Sequence, residues 1–189
     1  MFKNFISNFT ESLSIENPLI EMKGIPFKYS ELLLELGGKS FDNGLYTIHT
    51  FTDSLKWTGL LSQYFGKEEN SFLSFGHDWM GRQFCVSRNT NECIYMFDPA
   101  TQEDFYLDEN LLEFHNDSLP NLKVENLASD LFEGALKYLG ITSVSYHQCV
   151  GFKTPLFLNG KEEVSNYEVG DLEVYWDFEY QLYKQVKNL

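Results

Sequence analysis

The chain contains few cysteines and no long apolar run. Cys85, Cys93 and Cys149 form an odd, widely spaced set, which argues against a disulfide framework and is typical of reduced intracellular thiols. No segment approaches the ~18 apolar residues needed to cross a bilayer, and the first residues lack the continuous apolar stretch of a secretory signal. We therefore expect a cytoplasmic protein with no membrane partner.

Basic residues are also scarce. The 14 lysines and arginines are outnumbered by 28 acidic residues, which leaves a formal net charge of -14. This charge repels phosphate backbones, so direct binding to nucleic acid is disfavoured, whereas a basic protein partner would be attracted over a long range. Taken alone, the charge is explained more simply by solubility.

The common catalytic and cofactor-binding motifs are missing. There is no glycine-rich phosphate loop, no G-x-S-x-G turn and no H-E-x-x-H helix. Short groups of reactive residue types begin at His77, His115 and His147, but none shows the paired spacings of a metal site. We expect these histidines to be solvated or to cap helices, the cysteines to be buried, and the protein to bind neither metal nor cofactor.

Large apolar side chains are abundant, by contrast. The 189 residues include 17 Phe, 11 Tyr and 3 Trp, and a chain of this length buries roughly 70% of the surface that it exposes when unfolded. The helical and strand patterns predict an α+β fold, in which a mostly antiparallel central sheet is flanked by N-terminal and C-terminal helices.

Several stretches have the apolar spacing of amphipathic helices. "SELLLELGG" is expected to begin at a Ser30 cap, and the next helix at an Asp53 cap. Within "LASDLFEGALKYLG", Leu131 is expected to face inward. The C-terminal helix should follow an Asp171 cap, with Glu179 in its inward stripe.

The strand signals cluster in the middle of the chain. "FDNGLYTIHTF" is typical of a turn and a strand, "RQFCVSR" and "CIYMF" predict a hairpin around "NTNE", and "EDFYLD" predicts a third strand. In this hairpin Cys85 would lie opposite a residue near Met96. That register puts Cys85 and Cys93 beyond the ~7 Å Cα separation that a disulfide allows.

Five carboxylates follow this hairpin, at Asp98, Glu103, Asp104, Asp108 and Glu109. They resemble a paired acid and base only superficially, because Asp98 before a proline is typical of a turn and Asp108 of a helix N-cap. If the negative charge serves a partner, then Glu103, Asp104, Asp108 and Glu109 are the candidate partner-binding residues. We expect no catalytic residue among them.

Six blocks of the sequence resemble bacterial GAD-like proteins of the type VI secretion immunity family, which is similar in style to the SUKH immunity proteins. The resemblance runs from about residue 40 to the C-terminus, and residues before Gly24 carry little of it. The blocks are "SFDNGLYTIHTF", "SLKWTGLLSQYF", "SFGHDWMGRQF", "MFDPATQE", "QCVGFKTPLFLNG" and "NYEVGDLEVYWDFEYQLY".

This resemblance implies a GAD-like region at 1–70 and an immunity-type region at 71–189, which together should form one compact unit. It also implies a non-enzymatic cytoplasmic protein that neutralises a toxin by binding it, and in the best-known members the toxin is a DNase. The block residues are expected to have structural roles; those that we single out are Asp78, Trp79, Gly81, Arg82, Asp98, Gly151 and Trp176.

Two other functions stay open at this point. One is a small metal-assisted hydrolase that uses the carboxylates and histidines between Asp98 and His115. The other is an intracellular scaffold or regulator that shares the fold. We expect the immunity function, with a basic cognate toxin, a nuclease, as the partner.

Overall fold

The structure, a computed structural model, describes residues 1–20, 25–68, 71–88 and 92–187. Strands and helices are mixed in the first part of the chain, and a run of four strands is then followed by a run of helices. The strands are β1 (Glu11–Ser14), β2 (Lys39–Phe41), β3 (Tyr46–Ile48), β4 (Phe72–Asp78), β5 (Gln83–Ser87), β6 (Cys93–Asp98), β7 (Glu103–Asn110), β8 (Gln148–Phe152) and β9 (Tyr167–Asp171). The helices are α1 (Lys3–Asn8), α2 (Phe27–Leu36), α3 (Phe51–Phe65), α4 (Leu111–Glu113), α5 (Leu119–Asn121), α6 (Lys123–Leu127), α7 (Ser129–Leu139) and α8 (Leu172–Lys187), and a π-helical turn spans Phe114–Ser118.

The main sheet is an antiparallel meander. Seven strands follow in chain order from β1 at one edge to β7 at the other, and β8 and β9 form a separate two-stranded sheet. This arrangement confirms the α+β fold and the mostly antiparallel central sheet. The expected boundary between 1–70 and 71–189 crosses the main sheet, because β3 pairs with β4.

Two apolar cores lie on opposite faces of the main sheet. Phe84 and Val86 of β5 belong to the larger core, which also contains residues of α1, α2, α6 and α7. Cys85 lies between them in sequence and belongs to the smaller core, together with residues of α3 and α8. Since successive strand residues point to opposite faces, β5 is covered on both sides, as its apolar character indicated.

The starts of α2 and α3 differ from the predictions. Pro26, rather than Ser30, precedes the first turn of α2, where the fixed φ of proline is already suited to a helix. Thr50, rather than Asp53, caps α3: its Oγ1 accepts from the Asp53 N–H at 3.0 Å and donates to Asp53 Oδ2 at 2.7 Å. In both helices the side-chain periodicity was clear, but the helix begins about one turn before the predicted cap residue.

The two later helices lie where they were predicted, but the inward face predicted for α7 was partly wrong. Helix α7 ends at Gly140, as expected, but Leu131 is exposed and the buried positions are Phe132 and Ala135. Helix α8 begins after Asp171, whose Oδ1 accepts the N–H groups of Glu173 and Val174 at 3.0 Å each. None of the helices in the described part of the chain has the length and apolar character required to span a bilayer.

The cysteines are buried and free, in agreement with their predicted role as small apolar residues. Cys85 lies opposite Tyr95, one residue from the expected Met96. The predicted "NTNE" turn occupies 89–92, of which 89–91 lie outside the described residues.

Candidate functional site

The turn between β4 and β5 is held by a buried ion pair. Asp78 is fully buried, and its Oδ2 accepts from Arg82 Nε at 2.6 Å, while Oδ1 accepts the N–H groups of Met80 and Arg82 at 3.0 Å each. Arg82 Nη2 also donates to the carbonyl of Asn126 at 3.0 Å. The Asp78–Arg82 pair thereby joins this turn to α6, and removing either partner would leave a buried charge, which typically costs about 3–5 kcal/mol.

Two of the three tryptophans in the family-like blocks, Trp79 and Trp176, attach further elements to the same turn. Trp79 Nε1 donates to the carbonyl of Leu127 at 2.8 Å, and Trp176 Nε1 donates to the carbonyl of Gly81 at 2.7 Å. Both indoles are fully buried. The Trp79 carbonyl in turn accepts the Val150 N–H at 2.7 Å, so the turn contacts α6, α8 and β8.

Two glycines permit this packing. Gly81 has φ +81°, in the left-handed region that favours glycine. Gly151 allows the Tyr175 ring to lie against β8, because a Cβ at residue 151 would be 2.5 Å from that ring. These contacts hold the fold together, and the sequence blocks that contain them pack against one another.

Asp98 ends β6 and begins the next turn, as expected. Its Oδ1 accepts the Ala100 N–H at 2.8 Å. Burial raises the pKa values of the Asp78 and Asp98 carboxyls, and the Arg82 guanidinium opposes both rises. One arginine therefore influences two acids on neighbouring turns, of which Asp78 is fully buried and Asp98 is half-buried.

Glu179 is a third acid of this region and the least satisfied one. It is fully buried in α8, and neither carboxylate oxygen has a hydrogen-bond partner within the described residues. Burial, reinforced by the negative charge of Asp98 and partly opposed by the nearby Tyr175 hydroxyl, raises the pKa of Glu179 from 4.5 to about 8. The side chain is therefore mainly protonated at neutral pH. A glutamate in the centre of an apolar stripe was the sequence signal for this group.

The expectation of a solvated or capping His77 was wrong. His77 lies in the central strand β4 and is buried beside His49, with their ring centroids 5.2 Å apart. His49 Nε2 donates to Gln83 Oε1 at 2.8 Å. The Nδ1 atoms of His49 and His77 have no hydrogen-bond partner among the described residues. Burial lowers the pKa of His49 to about 4 and the pKa of His77 well below its usual value. Sequence analysis missed His49, which stands directly before the α3 cap.

His115 was likewise expected to be solvated and is buried. Its Nδ1 donates to the Leu111 carbonyl at 2.8 Å, and its Nε2 accepts from the Tyr46 hydroxyl at 3.2 Å. Burial lowers the pKa of His115 to about 4. Both ring nitrogens have internal partners, whereas His147 is exposed. Within the described ranges, no three His, Cys, Asp or Glu residues come together in a group that could hold a metal ion.

The four candidate partner-binding acids all lie on β7, but they do not form one face. Side chains alternate along a regular strand, so Glu103 and Asp104 point to opposite sides of the sheet. The pairing with β6 is irregular between Leu107 and Asn110, and Asp108 and Glu109 lie in that irregular part. Asp104 forms an ion pair with Lys67 at 2.8 Å, and Glu109 accepts a hydrogen bond from the Ser118 hydroxyl. Glu103 and Asp108 are exposed.

Asp108 was wrongly expected to be a helix cap. The following helical segment is capped by Asn110, whose Oδ1 accepts from the N–H groups of Leu112 and Glu113. The Glu113 carboxylate accepts the Asn110 N–H at 3.0 Å, which completes a capping box. Because the cap lies two residues later, Asp108 stays on the strand, where it is exposed and its Oδ1 accepts from the Tyr106 hydroxyl at 3.5 Å.

Strand β7 is an edge strand with exposed aromatic residues. Among the described residues it pairs with β6 alone. Phe105 and Tyr106 are 39% and 51% exposed, and they lie between the two pairs of acids. An edge strand presents unpaired backbone N–H and C=O groups, so this edge combines hydrogen-bonding groups, apolar surface and negative charge.

Comparison with known proteins identifies the fold. No protein-family model matches the chain, and no curated protein matches it. Among solved structures, the chain is similar to the crystal structure of Atu4351 from Agrobacterium tumefaciens, with a TM-score of 0.65 and 17% sequence identity. The likeness covers 96% of this chain and 89% of that chain. At this level of identity it shows a shared fold.

Proposed function

We propose that this protein is a non-enzymatic immunity protein that binds and neutralises a basic cognate toxin, a nuclease, in the cytoplasm. The observation that carries the proposal is the acidic open edge of β7, where the exposed Phe105 and Tyr106 are flanked by carboxylates. Exposed aromatic residues with charged residues around them are typical of protein interfaces.

The charge of the edge favours one class of partner. A second copy of β7 would bring like charges together, and like charges directly opposite each other destabilise strand pairing. A basic segment meets opposite charges and can also use the unpaired backbone groups of the edge. The net charge of -14 would attract such a partner over a long range.

The immunity role itself is supported by the sequence blocks that resemble the GAD-like type VI secretion immunity family. Several of these blocks contribute to the connected turn at 78–82, through Trp79, Arg82 and Trp176. If those residues maintain the fold, then the partner is recognised by other residues on the surface. This is the arrangement expected of a protein that inhibits its target by covering it.

The test is co-expression with the product of the adjacent reading frame. We expect this protein to restore the viability of a host that expresses that product, and the two proteins to co-purify. If the product is toxic but the two proteins neither co-purify nor interact functionally, the proposal is wrong.

A pair of charge-reversal variants locates the interface. Glu103→Lys with Asp108→Lys should weaken the complex, because neither acid has an ion-pair partner within the described residues. The control, Asp130→Lys with Glu133→Lys on α7, changes the net charge by the same amount at other exposed positions. Equal loss of binding in both double variants would mean that net charge acts without a specific role for β7.

A further inference from the structure

A small groove lies between α8 and the β8–β9 sheet. Its volume is about 240 Å³, below the ~300–1,000 Å³ of ordinary small-molecule sites. It therefore accommodates a single side chain better than a cofactor. The lining residues are Gly151, Glu168, Gly170, Asp171, Val174, Tyr175 and Phe178.

The base of the groove exists because two glycines have no side chains. Gly151 and Glu168 are register partners, and Gly170 follows on the same side of β9. A Cβ at residue 151 would collide with Tyr175, whereas a Cβ at residue 170 would meet nothing within 4 Å. The space beside Gly170 is thus open.

The outer wall is apolar and exposed. Val174 is 67% exposed and Phe178 is 52% exposed, and they lie one turn apart on α8. Residues four apart on a helix form a continuous surface. This surface lies outside the inward stripe that contains Trp176, so it contributes little to the core.

The rim is negative. Glu168 and Asp171 are both exposed. Asp171 uses Oδ1 to cap α8, and together with Glu173 it offsets the partial positive charge of the helix N-terminus. The groove therefore combines aromatic and aliphatic walls with carboxylates at its mouth.

We propose that this groove accepts an arginine side chain presented by the basic partner. The aliphatic stem of arginine packs against apolar walls such as Val174 and Phe178, and its planar guanidinium can stack on an aromatic ring while it binds carboxylates. A wholly apolar side chain in the groove would form no ion pair or hydrogen bond with Glu168 and Asp171. This inference rests on the proposed function and adds a second, side-chain-specific contact to the β7 edge.

The direct test uses N-acetyl-arginine methylamide as a probe and amide NMR shifts of the wild-type protein as the readout. We expect saturable shifts at Gly170, Val174 and Phe178, with a Kd on the order of 1 mM, as befits a ligand of this size. The matched control is the citrulline analogue, which has nearly the same shape without the charge and should produce no saturable shift.

The plugged variant Gly170→Leu should abolish the response, since its side chain would occupy the open space. If that variant does not fold, Phe178→Ala serves instead, because the exposed Phe178 can be truncated with little effect on the core; it should weaken binding at least threefold. Absence of saturable shifts, equal shifts with the citrulline analogue, or an undiminished response in the folded variant would overturn the inference.

Failure of this inference is distinguishable from failure of the proposed function. If the protein co-purifies with its neighbouring gene product and the probe produces no shift at the groove, the immunity proposal stands and the arginine site is wrong. If the probe binds the groove but no toxin complex forms, the groove is real and its assignment to a toxin is wrong.

Discussion

Replacing Glu179 with glutamine should raise the free energy of unfolding at neutral pH. The reason is that the folded protein buries this carboxyl without a hydrogen-bond partner among the described residues, and burial raises its pKa from 4.5 to about 8. In the unfolded chain the group ionises near its ordinary pKa. Folding at pH 7 therefore requires the glutamate to take up a proton.

The sign of the pH dependence follows from this proton uptake. Between pH 4.5 and about 8 the folded state holds the proton and the unfolded state does not, so this group makes the protein less stable as pH rises. One pKa unit corresponds to about 1.36 kcal/mol. From pH 5 to pH 7 the wild type should lose roughly 2 kcal/mol relative to Glu179→Gln, which cannot ionise.

The assay is urea unfolding at pH 5, 6, 7 and 8, followed by tryptophan fluorescence. The buried histidines also contribute to the pH dependence, because they take up protons in this range when the chain unfolds. They are present in both proteins, so the difference between variant and wild type isolates Glu179. The control is Asp177→Asn, an exposed acid on the same helix. A stability difference that is the same at pH 5 and pH 8 would show that Glu179 is ionised or hydrated in the folded protein, and would refute the reasoning.

Three further predictions concern the core. Trp79→Ala and Trp176→Ala should each lower the free energy of unfolding by about 3–5 kcal/mol in chemical denaturation, because both indoles are fully buried; a variant that unfolds like the parent but loses its partner would instead place that tryptophan in the interface. Gly151→Ala should lower the melting temperature while Gly170→Ala leaves it nearly unchanged, because only the first Cβ meets the Tyr175 ring; equal melting temperatures would contradict this packing. His115→Gln should lose less stability than the wild type as pH falls from 6.5 to about 4. Burial lowers the pKa of His115 to about 4, so in this range the unfolded wild type binds a proton that the folded wild type does not. Parallel pH profiles of unfolding free energy would mean that His115 is not buried as a neutral ring.

The sequence predicted the elements whose side-chain pattern is local. Helices α3 and α8 show clear apolar periodicity, and β5 to β7 are separated by turn residues, so the α+β class followed. Strand β4 was not predicted, because a strand covered on both faces lacks the alternation that marks a half-buried one. Strand β1 is only four residues long and exposed along its length, so it left no apolar signal.

The candidate sites were harder to predict because they depend on distant residues. The burial of His77 depends on its pairing with β3 and β5, which its neighbours in sequence do not reveal. The β7 acids were identified as a group, but the sequence does not reveal the irregular pairing with β6 at Asp108 and Glu109. The groove requires Gly151 and Gly170 to be adjacent through the β8–β9 pairing, and no sequence pattern connects them.

The central claim is that this acidic protein recognises a basic partner through long-range charge. Stopped-flow mixing with the product of the adjacent reading frame, across a salt series, tests it most directly. At about 0.15 M salt the Debye length is ~8 Å, so a tenfold increase in salt should slow association markedly while dissociation changes comparatively little. An association rate that is indifferent to salt would contradict the account, because the charge of -14 would then serve solubility while recognition depended on apolar shape complementarity.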